Sequence, residues 1–205
     1  MKPESIAFAI AGAAFGLIAG WVIGSQQATM RTPASPVQTS APPPASDGGT
    51  RAALLDEAQV NALQSVASRE PSNAQPRIQL GNLYFDAERY ADAIKWYSEA
   101  VKLAPNDVNV STDLAVCYYY TSQVDKALAQ LDRSLQIDPN HTKTLLNVGI
   151  VKAFGKQDLD GATQAWQKVM KLSPGSPEGE AAKRALESLQ SAHPNLGGST
   201  QRPGD

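Results

Sequence analysis

Apolar side chains recur at helical spacing between residues 74 and 103. Ile78, Leu80, Leu83 and Tyr84 fall at helical spacing in 74–87, and Tyr90, Ala93, Ile94, Tyr97, Ala100 and Val101 share one stripe of 90–103. Steps of three and four place side chains on a single helix face, so the pattern predicts two amphipathic helices joined by a short turn. Gly81 and Ala93 are small enough to let the two backbones come close, and Tyr84 and Tyr97 fill the space beside them. Asn73, Asp107 and Ser122 stand where helix N-termini take a side-chain acceptor.

The pair of helices repeats. Pro71, Pro105, Pro139 and Pro174 are 34, 34 and 35 residues apart, and each stops the helix before it because proline cannot continue the hydrogen-bond ladder. Gly81, Ala115 and Gly149 keep the 34-residue step, while Ala93, Ala127 and Ala162 and also Tyr97, Leu131 and Trp166 follow steps of 34 and 35. A fixed period of this length means stacked units that bury their apolar faces against one another. The third unit holds one extra residue between Gly149 and Ala162, and the turn Gly155–Asp160 is the expected place, since a loop absorbs an insertion more easily than a helix.

These residues resemble the tetratricopeptide repeat family. The stretch LGNLYFDAERYADAIKWYSEAVKLAPND (80–107) carries the family's Leu80-Gly81 pair, Tyr84, Ala93, Tyr97, Ala100 and Pro105. The second unit keeps Leu114-Ala115, Tyr118, Ala127, Leu131 and Pro139 but has Ser134 for the second alanine. The third keeps Gly149, Ala162, Trp166 and Pro174 and departs at Lys152 and Val169. The resemblance implies an all-α solenoid of antiparallel helix pairs. Its expected parts are a half repeat (51–73, with Leu63 and Val66 inward), repeats 74–107, 108–141 and 142–176, and a capping helix 177–191. The cap begins with Ser176 as N-cap and Pro177 at the first helical position, and its Ala181, Ala185, Leu186 and Leu189 cover the last repeat.

In the family, the first helices of successive repeats line a concave surface that binds peptide segments. Carried over by register, that groove comprises Gln75, Ile78, Asn82, Phe85 and Asp86, then Asn109, Thr112, Val116, Tyr119 and Tyr120, then Lys143, Leu146, Ile150 and Phe154. Phe85, Tyr119, Tyr120 and Phe154 suit anchor pockets for a partner's side chains, though Phe85 and Phe154 suit packing between helices equally well. Tyr119 and Tyr120 point about 100° apart on a helix, and Tyr119 is expected to be the more exposed. One subset of the family grips a C-terminal carboxylate through a ring of Lys, Asn and Arg. Asn82 and Lys143 match that ring, whereas Ile78, Asp113 and Asn147 do not, and Asp113 puts a negative charge where the carboxylate would sit. The resemblance therefore does not extend to that mode of binding.

The N-terminal region is different in kind. Residues 5–24 (SIAFAIAGAAFGLIAGWVIG) carry no charge over 20 positions and would span about 30 Å as a helix, the thickness of a bilayer core. They predict one N-terminal transmembrane helix after a short tail (1–4), rather than a secretory signal, whose apolar core is shorter. Lys2 precedes the stretch and no basic residue follows before Arg31, which puts the N-terminus in the cytoplasm and the repeats outside. Gly12, Gly16, Gly20 and Gly24 recur every four residues as a glycine zipper, which reads either as a packing face for a second helix, including a second copy, or as an Ala/Gly-rich anchor. Residues 25–50 hold five prolines and little apolar material, which predicts a disordered tether, and 194–205 predicts a disordered tail.

Composition narrows the chemistry. Eighteen basic and 20 acidic side chains leave a net charge of −2, which offers no bulk attraction for nucleic acid. The single Cys117 excludes an internal disulfide framework and reads as a small buried hydrophobe. His141 and His193 have no partner at ligand spacing, so no metal site and no cofactor is expected. No phosphate loop, nucleophile–base set or paired catalytic carboxylates appear, so no enzymatic activity is expected. Asn109-Val-Ser and Asn140-His-Thr match the glycan acceptor pattern and are discounted as chance triplets. The expected function is a membrane-tethered scaffold or adaptor that binds protein segments, placed at the periplasmic side of a bacterial inner membrane. By architecture it looks like an assembly factor for envelope complexes, such as c-type cytochrome maturation. Alternatives are a secretion or pilus-assembly subunit and a soluble periplasmic chaperone released after signal cleavage.

Overall fold

The computed structural model describes residues 55–193. The expected transmembrane helix with its glycines Gly12, Gly16, Gly20 and Gly24, the tether, residues 51–54 and the C-terminal tail lie outside the described residues. Among the described residues no helix is long and apolar enough to cross a membrane.

The described chain is all helix. In order it forms α1 (Glu57–Arg69), α2 (Gln75–Asp86), α3 (Tyr90–Leu103), α4 (Val108–Tyr120), α5 (Val124–Ile137), α6 (Thr142–Ile150), α7 (Leu159–Leu172) and α8 (Pro177–Ala192). Each helix packs on the next, and α4 also meets α6 while α6 meets α8, so the first helices of successive repeats stand side by side. In the first and third repeats a small residue faces a large ring. A Cβ on Gly81 would lie 2.5 Å from the Tyr97 ring, and one on Gly149 would lie 2.2 Å from Trp166. Trp166, Tyr97, Leu80 and Leu131 are among the largest fully buried side chains. Burying each such side chain is worth roughly 1.5–3 kcal/mol.

Helix starts follow their capping residues. Asp56 accepts from Gln59 N–H, Asp107 from Asn109 and Val110 N–H, Asp158 from Gly161 N–H and Ser176 from Gly179 N–H. Asn73 accepts from Gln75 N–H at 2.9 Å. Ser122 does not cap: it takes a left-handed backbone (φ 61) between α4 and α5, as Glu88 (φ 56) does between α2 and α3. A reversal this tight needs one residue in that region, so the neighbour Gln123 becomes the N-cap and makes no side-chain cap bond. In α1 the buried positions are Val60 and Ala67, while Leu63 and Val66 are half-buried. The terminal helix has a single neighbouring pair to pack on, so its inward stripe is narrow.

The extra residue of the third repeat is not in the turn. The left-handed residues Glu88, Ser122 and Gln157 each stand two positions before the next helix begins, so the turn keeps its length in all three repeats. The added residue lies upstream, where α6 runs on as a π-helical turn over Val151–Lys156. The closing bond shows it: Arg89 N–H donates to Tyr84 and Gln123 N–H to Tyr118, five residues back, but Asp158 N–H donates to Lys152, six back. A π turn hosts one additional residue per loop without breaking the backbone ladder. The same register exchanges side-chain chemistry: Arg89 lies over the Tyr84 ring at 4.9 Å and Lys126 over Tyr118 at 5.7 Å, whereas Lys152 pairs with Asp158 at 3.2 Å.

Candidate functional site

The face formed by α2, α4 and α6 is closed at some of the expected groove positions and open at others. Phe85, Thr112, Val116, Leu146 and Ile150 are buried, because neighbouring first helices sit close enough to pack on them. Thr112 and Thr144 illustrate the approach: their hydroxyls meet at 2.7 Å between α4 and α6, and Thr112 also donates to the Val108 carbonyl. These five side chains form the joint between repeats and offer no surface to a partner. Gln75, Asn82, Asn109 and Phe154 are exposed, with Phe154 46% accessible on the π-helical turn. Ile78, Tyr119, Tyr120 and Lys143 are half-buried.

The two adjacent tyrosines have different surroundings. Tyr119 packs against the cluster of Ala115, Leu131 and Val151. Tyr120 stacks on Tyr90 with ring centroids 4.4 Å apart and planes 14° apart, and Phe85 meets both rings edge-on at 5.4 and 6.5 Å. Burial raises the Tyr120 hydroxyl and pushes that of Tyr90 up to about 12, with Glu88 adding to both, so both rings carry neutral O–H groups at physiological pH. Tyr90 was absent from the groove read from the sequence. It belongs to a second helix, and a register that carries over first-helix positions alone has no place for it.

Polar atoms fix the rest of this face. Tyr97 O–H donates to Asn82 Oδ1 at 2.7 Å and so aims the Asn82 amide from below. Lys143 Nζ donates to Asp113 Oδ1 at 2.7 Å, tying α6 to α4, and Asn147 Nδ2 donates to the Lys143 carbonyl. Burial pushes the Asp113 carboxyl up, and Lys143 draws part of that shift back. The pair was legible in one respect: Asp113 and Lys143 are 30 residues apart, one helical turn short of the 34-residue period, the spacing that sets facing positions of adjacent first helices opposite each other. Arg77 anchors the other end. It donates to the Ala67 and Asn73 carbonyls and pairs with Glu99 at 3.2 Å, joining α1 to the first repeat.

Cys117 is fully buried, and burial pushes its thiol well up, which holds it as the inert thiol. Among the described residues no group of three His, Cys, Asp or Glu side chains is placed to hold a metal ion.

Two family models described as tetratricopeptide repeat match residues 55–108 and 84–146. Hsp70-Hsp90 organizing protein 3 of Arabidopsis thaliana is 30% identical over 124 residues, which are 60% of this chain and 22% of that protein. The chain thus spans about a fifth of the length of the first curated relatives it matches. Formate-dependent nitrite reductase complex subunit NrfG of Escherichia coli O157:H7 is 31% identical over 120 residues, 57% of this chain and 60% of that protein. Among solved structures, the first TPR of Spaghetti (RPAP3) bound to HSP90 peptide SRMEEVD superposes with a TM-score of 0.53 at 24% identity, covering 58% of this chain and 94% of that one. The two models together take in residues 55–146 as tetratricopeptide repeats, and the described chain stacks its helix pairs as an all-helical solenoid.

Proposed function

We propose that the chain is a membrane-tethered scaffold that holds an extended segment of a partner protein along the face of α2, α4 and α6. The observation that carries the reading is the accessible aromatic surface of that face: Phe154 is 46% exposed, and the stacked Tyr90 and Tyr120 are half-buried. Aromatic anchors of this kind supply contact area at low entropic cost, and exposed amides at Gln75, Asn82 and Asn109 can pair with a partner's backbone. The uncharged stretch 5–24 and the proline-bearing stretch 25–50 support an anchor and a tether, which raise the concentration of the repeats near membrane-bound partners. The similarity to a subunit of a formate-dependent nitrite reductase complex supports a role in assembling an envelope complex such as the c-type cytochrome apparatus.

The test is capture of partners from native membranes by the full-length protein and by Phe154→Ala and Asn109→Arg variants. Both positions are exposed, so the fold stays intact. One set of partners lost in both variants is the expected result, and partners retained in both would refute the groove. Loss of c-type cytochromes on deletion of the chain would place it in their assembly; unchanged cytochromes would remove it from there.

A further inference from the structure

The groove's charge is already spent within the protein. Among the side chains carried over to the groove, Lys143 is the one cation, and its ammonium is held by Asp113 at 2.7 Å. The pair is shielded: 15% of the Lys143 side chain and 23% of the Asp113 side chain are accessible. A second carboxylate bound to Lys143 at an ordinary charge-assisted distance of about 2.8 Å would lie at most about 5.5 Å from the Asp113 oxygen. Like charges at that range, away from bulk water, repel strongly. The peptide in the RPAP3 complex, SRMEEVD, ends in two glutamates, a valine and an aspartate. Such a ligand would bring several negative charges to a face whose single cation is neutralised. Glu88 is exposed two residues before Tyr90 and adds a carboxylate near the stacked rings.

We infer that Asp113 is the specificity-determining residue of the groove: by occupying Lys143 it bars acidic, carboxylate-ended peptides and leaves the face to neutral or basic segments bearing apolar side chains. The inference rests on the reading of this face as a peptide groove. It makes Lys143 a latent anion site that one substitution exposes. Asp113→Asn and Asp113→Ser each remove the charge while keeping an oxygen that can accept from Lys143, so the α4–α6 contact retains a hydrogen bond.

The experiment is fluorescence anisotropy of labelled SRMEEVD titrated with full-length protein in detergent micelles at low salt, with circular dichroism to establish that each variant is folded. The wild type is expected to show no saturable binding. Asp113→Asn or Asp113→Ser gains at least tenfold in affinity, and Asp113→Asn/Lys143→Met loses that gain. Saturable, Lys143-dependent binding by the wild type, or no gain in a folded Asp113 variant, overturns the inference. If that happens while partner capture still depends on Phe154 and Asn109, the groove itself stands; if capture is also indifferent to them, the groove reading falls separately.

Discussion

The indole of Trp166 fills the volume that a side chain at Gly149 would need. A Cβ there would stand 2.2 Å from Trp166 Nε1, which donates to the Leu146 carbonyl at 3.1 Å, so the ring cannot retreat without giving up a buried hydrogen bond. Gly149→Ala improves helix propensity by about 1 kcal/mol yet overpacks a site that costs about 1–3 kcal/mol or more to open. The expected net result is a loss of about 1–2 kcal/mol by urea unfolding. In a Trp166→Leu background the same substitution becomes neutral or stabilising, because the clash is gone; a double-mutant cycle measures the difference.

The π-helical turn predicts an asymmetry between two deletions. Removing Gly155 takes out the surplus residue of Val151–Lys156 and restores the 34-residue step, so the protein remains helical and melts in one cooperative transition. Removing Thr163 from the middle of α7 rotates the rest of that helix by about 100° and turns Trp166 and Val169 away from the core. That variant is expected to lose its cooperative melt, as followed by circular dichroism.

Ser134 stands where the family resemblance implies alanine, and the structure supplies its partners. Ser134 Oγ donates to Ser111 Oγ at 2.7 Å, and Gln130 Nε2 donates to the same oxygen at 2.8 Å. Ser111→Ala strips the acceptor from the buried Gln130 amide, while Ser134 keeps the Gln130 carbonyl at 3.0 Å, and is expected to cost about 1–3 kcal/mol in chemical denaturation. Ser134→Ala leaves Gln130 and Ser111 paired and is expected to cost less than about 1 kcal/mol.

Much of this architecture is open to inspection along the chain. Gly81, Gly149 and the prolines announce their own geometry, since one matches a ring 16 or 17 residues later and the other ends a helix. Insertions are harder to place. A 35-residue step shows that a residue was added but not whether the turn or the helix took it, because a π turn has no composition of its own. Burial on the inner face is also hidden. Val116 and Ile150 occupy groove positions by register, yet whether such residues meet a ligand or the next helix depends on how closely neighbouring repeats approach.

His141 should give this stack a mild sensitivity to acid. Its Nδ1 lies 2.7 Å from Thr144 Oγ1, and burial lowers its pKa below the ordinary 6.5. Lys143 adds to that lowering, while Asp138, Asp113 and Glu178 oppose it. The unfolded chain then takes up a proton at a higher pH than the folded one, so stability falls as pH drops through about 6.5 toward the folded-state value. The melting temperature of the wild type is expected to fall further between about pH 7.5 and about pH 5.5 than that of His141→Asn. Equal falls would remove His141 from the effect.

The two joints of the solenoid are made of different materials. Between the first and second repeats, Tyr120 lies flat on Tyr90 with Phe85 at its edge. Ring faces tolerate lateral displacement of a fraction of an ångström at little cost, since stacking has a broad minimum. Between the second and third, Thr112 meets Thr144 and Asp113 meets Lys143, contacts whose strength falls off steeply with distance and angle. The first joint is therefore expected to yield to small displacements more readily than the second, where an apolar cluster including Leu131 and Val151 backs the polar contacts. A partner laid across all three repeats would adjust its fit by moving the first repeat over the other two, which would travel as one block.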